Sequence, residues 1–231
     1  MSRVATFGLS GDVDWQAHDV GVSGERGGST RFRVRHERSP FGTFEVPLVG
    51  LHNVRNALAA IAVAAEEGVS AERIASALGS FAGVKRRLEL VGTAAGVAIY
   101  DDFAHHPTAV AETLSAVRSA NPDARIWAVF EPRSASSCRR VFQEDFARAF
   151  AAATQALIAP VFRSKLAEGE RLSVSRLVSD LNERGTAARA VGSVDEIIDI
   201  IVREHRDHDI AVLMSNGGFG GIHRRLLKAL S

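Results

Sequence analysis

The chain has 231 residues, 46% of them hydrophobic and 24% charged, with a formal net charge of +1. That length supports one large or two small domains with an adequate core, and the near-neutral balance removes the electrostatic case for nucleic acid or an anionic membrane as partner. One cysteine, Cys138, rules out an intramolecular disulfide and fits a reducing cytoplasm, and no apolar run has the length of a membrane span or the form of a signal peptide. In chain order, residues 4–9 read as a strand. Arg31-Phe32-Arg33-Val34-Arg35 and Thr43-Phe44-Glu45-Val46 alternate with period two, and Ser39-Pro40-Phe41-Gly42 between them supplies a turn. A small antiparallel ribbon is expected there, with a loop over residues 24–29. Residues 53–67 form a helix with Val54, Leu58, Ile61 and Ala65 on one face and Gly68 as its stop, and Ser70 caps a second helix that ends near Gly79.

After Gly83 the rhythm changes. Apolar strands at 97–100, 126–130, 156–159, 187–191 and 210–214 alternate with amphipathic helical patterns, one opened by the capping box Ser193-Val194-Asp195-Glu196. This alternation predicts an α/β domain with a Rossmann-like, doubly wound, mostly parallel sheet. The predicted boundary separates residues 1–82 from residues 83–231.

The densest chemistry lies in Tyr100-Asp101-Asp102-Phe103-Ala104-His105-His106-Pro107-Thr108, where a predicted strand ends in polar residues and Pro107 opens a helix. Vicinal carboxylates suit ribose hydroxyls or a metal, and His residues at a helix start can face phosphate oxygens. Asn53 and Asn56 are three residues apart on one helical face; their amides could read an adenine edge or serve only as cap and solvated polar group. Lys85-Arg86-Arg87 sits at the boundary, where a guanidinium could meet a phosphate or lie in solvent. Arg133 follows the strand 126–130, placed to receive a carboxylate or to pair with Glu131. The turn Ser215-Asn216-Gly217-Gly218-Phe219-Gly220-Gly221 follows the final strand and allows close backbone approach. A dinucleotide fingerprint is rejected for it, since the ten remaining residues supply no ribose-binding acid on a next strand. Cys138 reads as a packed helix residue. His18, His36, His205, His208 and His223 show no metal spacing.

Five motifs agree in kind and order with a known group. Gly50-Leu51-His52-Asn53-Val54-Arg55-Asn56, then Gly83-Val84-Lys85-Arg86-Arg87, then Asp101-Asp102-Phe103-Ala104-His105-His106-Pro107-Thr108 resemble the Mur ligase superfamily. Phe130-Glu131-Pro132-Arg133-Ser134 and Met214-Ser215-Asn216-Gly217-Gly218 look most like its tripeptide-ligating branch, which joins L-alanyl-γ-D-glutamyl-meso-diaminopimelate to UDP-N-acetylmuramate with ATP and Mg²⁺ in cell-wall recycling. The L-alanine-adding branch is the nearest rival, and a non-catalytic peptide- or nucleotide-binding module is the alternative outside catalysis. The resemblance implies that residues 1–82 are the end of a central ATPase domain and residues 83–231 the complete C-terminal, peptide-binding domain. It implies His105 and His106 in catalysis toward the phosphates; His52, Asn53, Asn56, Arg87 and Asp102 on the nucleotide; and Arg133, Ser215, Asn216 and Gly217 on the incoming peptide, with no protein metal site. The partners implied are UDP-N-acetylmuramate and the murein tripeptide, in the cytoplasm, with no nucleic acid or membrane. The only lysines are Lys85, Lys165 and Lys228 and none follows glycine, so the Gly-Lys-Ser/Thr phosphate loop is missing and the chain is expected to be inactive alone.

Overall fold

The computed structural model describes residues 4–23, 28–162 and 165–231. The chain divides into two compact units, a first up to Gly83 that also takes in Ser119–Asn121, and a second of Val84–Arg118 and Pro122–Ser231. In the first unit β1 (Phe7–Gly8), β2 (Trp15–Ser23), β3 (Ser29–His36) and β4 (Ser39–Val46) form one sheet in chain order, β1 parallel to β2 and the rest antiparallel. Alternate side chains Trp15, Ala17, Phe32, Val34, Phe44 and Val46 are buried against Val54, Leu58 and Ile61 of α1 (Leu51–Glu66) and Ile74 of α2 (Ala71–Gly79). The period-two pattern thus gives a sheet with one covered face.

The structure corrects the ribbon in two places. Ser39-Pro40-Phe41-Gly42 is strand, not turn. The reversal is made by Glu37 and Arg38, both at left-handed φ (47° and 67°), the geometry of a tight two-residue hairpin. Pro40 is tolerated because the register slips between Val34 and Arg35, a bulge where a missing N–H costs little. The strand β2 was not anticipated at all, and residues 24–27 of the expected loop lie outside the described residues.

The second unit carries β5 (Glu89–Ala94), β6 (Val97–Asp102), α3 (Pro107–Ala120), β7 (Ile126–Phe130), α4 (Gln143–Ala149), β8 (Gln155–Ile158), α5 (Val174–Glu183), β9 (Ala187–Ala190), α6 (Val194–Glu204), β10 (Ile210–Met214) and α7 (Ile222–Leu230). The sheet order is β5-β6-β10-β7-β8-β9, parallel except for β5, which returns antiparallel onto β6. Alternation along the strands sorts two cores. Ala98, Tyr100, Ala128, Phe130, Val212 and Met214 pack with Val110 and Leu114 of α3, Phe146 of α4 and Leu177 of α5. Val97, Ile99, Trp127, Val129, Ala211 and Leu213 pack with Ile197 and Ile201 of α6 and Ile222 and Leu226 of α7. Helices on both faces of a mostly parallel sheet are the doubly wound arrangement expected.

Candidate functional site at the carboxyl edge of the sheet

The last strand, β10, lies between β6 and β7, with Met214 opposite Asp102 on one side and Phe130 on the other. The chain leaving β6 enters α3 on one face, while the chain leaving β10 enters α7 on the opposite face. Departing in opposite directions opens a crevice at the carboxyl ends, where open α/β sheets bind ligands. Ser215 N donates to the Asp102 carbonyl (3.1 Å) and Glu131 N to that of Met214 (3.1 Å). Asp102, Arg133 and Ser215 therefore share one edge.

The two vicinal aspartates have different environments. Asp102 is 2% exposed; Oδ2 accepts from Leu88 N and Oδ1 from Ala104 N, both at 2.8 Å, and Thr113 Oγ1 adds a bond at 3.2 Å. Burial raises its pKa, and these hydrogen bonds and the charge of Arg87 only partly offset the rise. Asp102 fastens the two turns flanking its strand end, so a ribose hydroxyl would have to compete with backbone N–H groups for it. Asp101 is half-buried, its side chain 15% exposed. Its burial alone would raise the pKa, but His223 and Arg86 outweigh it and the net shift is downward. His223 Nε2 lies 3.1 Å from Asp101 Oδ1, and Arg86 Nε donates to Oδ2 at 3.1 Å.

Arg86 also donates through Nη2 to the carbonyls of Ser215 (2.6 Å) and Gly217 (2.8 Å), tying β6 to the glycine turn. Arg87 is exposed, with its guanidinium 6.0 Å from the Phe103 ring centre. His105 and His106 are partly exposed just before α3; His105 Nδ1 is 2.8 Å from Phe103 O, and His106 sits edge-on to Phe142 at 5.0 Å. Both rings stand at a helix N-terminus, where the backbone dipoles favour anions.

On the other side of β10, Glu131 is buried and Ser215 Oγ donates to its Oε2 at 2.5 Å while accepting from Gly217 N at 2.9 Å. The Arg133 guanidinium is only 3.9 Å from Glu131 at its closest and stacks on Phe162, 3.7 Å from the ring centre. Its own backbone N donates to the buried Ser137 Oγ at 2.9 Å. Gly217 is glycine for a steric reason: a Cβ there would overlap the Arg133 side chain. Gly220 and Gly221 are needed instead for left-handed φ (57° and 69°). Among the described residues, Asn216 Oδ1 is buried without a hydrogen-bond partner. Its unmade bond is the strongest sign that a polar group completes this turn.

His52, Asn53 and Asn56 lie in the first unit, on the first turns of α1. Asn53 Nδ2 donates back to Val49 O (2.8 Å), while Asn56 is exposed. Sequence reasoning does not single out two neighbours of the site. Arg86 was grouped with Arg87 as a basic triplet, and His223 was dismissed for want of metal spacing; its place on the first turn of the helix after the glycines was the available signal. Cys138 is buried in a turn and not a helix, its thiol pushed up in pKa by burial. Among the described residues no group of three His, Cys, Asp or Glu is placed to hold a metal ion, and no helix is long and apolar enough to cross a membrane.

The family model described as "Mur ligase, glutamate ligase domain" matches residues 86–217. A UDP-N-acetylmuramate–L-alanine ligase of Desulfitobacterium hafniense is 36% identical over 217 residues, covering 94% of this chain and 47% of that protein. A UDP-N-acetylmuramate–L-alanyl-γ-D-glutamyl-meso-2,6-diaminoheptandioate ligase of Escherichia coli is 37% identical over 219 residues, covering 94% and 45%. The crystal structure of a UDP-N-acetylmuramate-alanine ligase from Thermotoga maritima shares the fold with a TM-score of 0.77 at 22% identity, over 97% of this chain and 47% of that one. The chain spans about half the length of the curated relatives it matches.

Proposed function

The chain belongs to the Mur ligase family, and from that premise we propose that it forms the acceptor-binding part of an ATP-dependent amide ligase that adds the murein tripeptide to UDP-N-acetylmuramate. The observation that carries the reading is Arg133: a guanidinium held over the Phe162 ring, 3.7 Å from its centre, beside Gly217 at the carboxyl edge of the sheet. A planar fork held in place makes two parallel bonds to a carboxylate, and the acceptor brings carboxylates. Asn216, with its carbonyl oxygen unsatisfied, is suited to accept from an amide or ammonium group of the same acceptor.

The nucleotide-side roles belong to the proposal as well. ATP, when bound, supplies the phosphoryl group that activates a donor carboxylate toward the acceptor amine. Arg87, exposed beside Phe103, and the His105–His106 pair at the start of α3 offset phosphate charge. Asp102 orients both, because its carboxylate fixes the backbone at Leu88 and Ala104. His52, Asn53 and Asn56 supply the adenine-side contacts of the first unit.

Relatives of both specificities match with almost equal identity, and that supports the L-alanine-adding reading as the rival. The test is a chimaera in which the amino-terminal half of the Desulfitobacterium hafniense enzyme precedes this chain. Tripeptide ligation with a kcat/KM about tenfold or more above that for L-alanine is expected. Preference for L-alanine would retire the tripeptide specificity. Tight peptide binding with no product from either acceptor would identify a binding module.

A further inference from the structure

A second basic feature lies on the same edge, and the function above does not use it. The loops after β7 and β8 are zipped together: Leu172 N donates to Cys138 O (2.8 Å), Arg139 and Arg171 form an antiparallel bridge, and Phe162 N donates to Pro132 O (2.9 Å). Gln143, buried, clamps Ser173 from both sides, donating to its carbonyl (3.1 Å) and accepting from its N–H (2.9 Å). Between these loops and the first turn of α5 is a cleft of about 460 Å³, lined by Arg140, Arg171, Arg176, Ser173, Gly169 and Glu168. Three guanidiniums face one carboxylate there. Arg171 is oriented by a bond from Nη2 to Leu166 O (2.8 Å). The bond from Arg140 to Gly169 O is long (3.4 Å), and Arg176 stands 3.7 Å from Asp180. Arg140 and Arg176 also line an adjoining cleft with Arg148, Glu144 and Asp145, where Arg148 is engaged by Asp145. The first cleft thus carries three guanidiniums against the carboxylate of Glu168, with Asp180 beside Arg176.

We propose that this cleft binds the distal carboxylates of a polyacidic peptide whose first carboxylate is held by Arg133. The two places are joined by the chain itself, since Phe162, on which Arg133 stacks, belongs to the same β8 loop that builds the cleft wall. Arginine forks on a rigid, zipped floor match planar carboxylates, and two separated carboxylate sites select an extended acceptor over a single amino acid. The proposal rests on the reading that the acceptor docks at the Arg133 edge, and it assigns the cleft as the determinant of tripeptide over L-alanine.

The experiment is an NMR titration of the 231-residue chain, following arginine Nε–H and backbone resonances. The probes are L-Ala-γ-D-Glu-meso-diaminopimelate, the same peptide with its two diaminopimelate carboxylates amidated, L-alanine and inorganic phosphate. The tripeptide should shift both the Arg133–Ser215 edge and Arg140, Arg171 and Arg176; the amidated peptide should shift the edge alone. Arg140→Ala/Arg176→Ala, at exposed positions, should weaken tripeptide affinity by about tenfold or more and leave the affinity for the amidated peptide unchanged. Tripeptide shifts confined to the edge, with the double variant binding normally, would overturn the cleft and leave the proposed function standing. Phosphate shifting the cleft at concentrations where the tripeptide does not would make it a phosphate site and overturn the proposal. Edge shifts with L-alanine but none with either peptide, or no shifts with any probe, would overturn both.

Discussion

The Arg133 side chain occupies the volume that a Cβ at Gly217 would need. Because the obstructing atoms are the far end of a flexible side chain, Gly217→Ala should cost little stability but should displace the guanidinium from Phe162. The expected result is a melting temperature within about 2 °C of the parent with loss of the Phe162 ring-current shift on Arg133 Nε–H. Arg133→Lys should raise the peptide KM of the chimaera by about tenfold with ATP KM unchanged, since an ammonium reproduces neither the fork nor the stack. The long 3.9 Å approach to Glu131 argues against the alternative, an ion pair whose loss would show only as a lowered melting temperature. At this scale the sequence was partly legible. Residue types and their order pointed to the strand ends, but which arginine of 85–87 turns inward depends on backbone conformation. Arg86 sits at left-handed φ (59°) and so aims at the glycine turn, a fact no spacing encodes.

At the scale of single elements, the opposite edge of the sheet is closed by a polar clamp. Asp209, just before β10, accepts from Arg125 Nε (2.9 Å), Trp127 Nε1 (2.8 Å) and Arg206 N (3.0 Å). Burial would raise its pKa, but these donors together hold it below the usual carboxylate value. Arg125→Ala removes the guanidinium facing this buried carboxylate and leaves it the neutral N–H donors of Trp127 and Arg206, and should cost about 3 kcal/mol in urea unfolding at neutral pH. The pH dependence has a definite sign. Below the ordinary carboxylate range the unfolded chain takes up a proton that folded Asp209 refuses, so stability falls with pH down to the depressed folded value. Asp209→Asn should flatten that acid slope in unfolding curves taken across pH. Asp102 works the other way: its raised pKa means that its contribution is lost as pH rises through the folded value. Strands buried on both faces were legible as apolar runs, and β7 and β10 match the expected 126–130 and 210–214. The edge strand β5 was not, because its half-exposed residues carry neither a continuous run nor strict alternation. The β3–β4 reversal was misplaced because Pro40 and Gly42 are turn formers in general, whereas Glu37 and Arg38 are not.

For the molecule as a whole, the alternation of strand and helix after Gly83 made the doubly wound fold legible, but not the order of its strands. Sequence patterns record which residues are buried and say little about which strand inserts between which. Residues 84–231 contain both cores of the second unit, so that segment expressed alone should give a dispersed amide spectrum and a cooperative thermal transition. The 231-residue chain, with no Gly-Lys pair, should release no phosphate from ATP in a coupled assay, with or without tripeptide. The central place of β10 has a consequence for how the protein is made. Every other strand of its sheet is synthesised first, and β6 and β7 cannot pair with each other across the gap that β10 fills. Until residue 214 emerges from the ribosome, the nascent chain carries two apolar strands with open hydrogen-bonding edges, a template for association with other chains. Completion of the crevice and protection from aggregation are therefore one event, and the unit depends on shielding of those edges up to that moment.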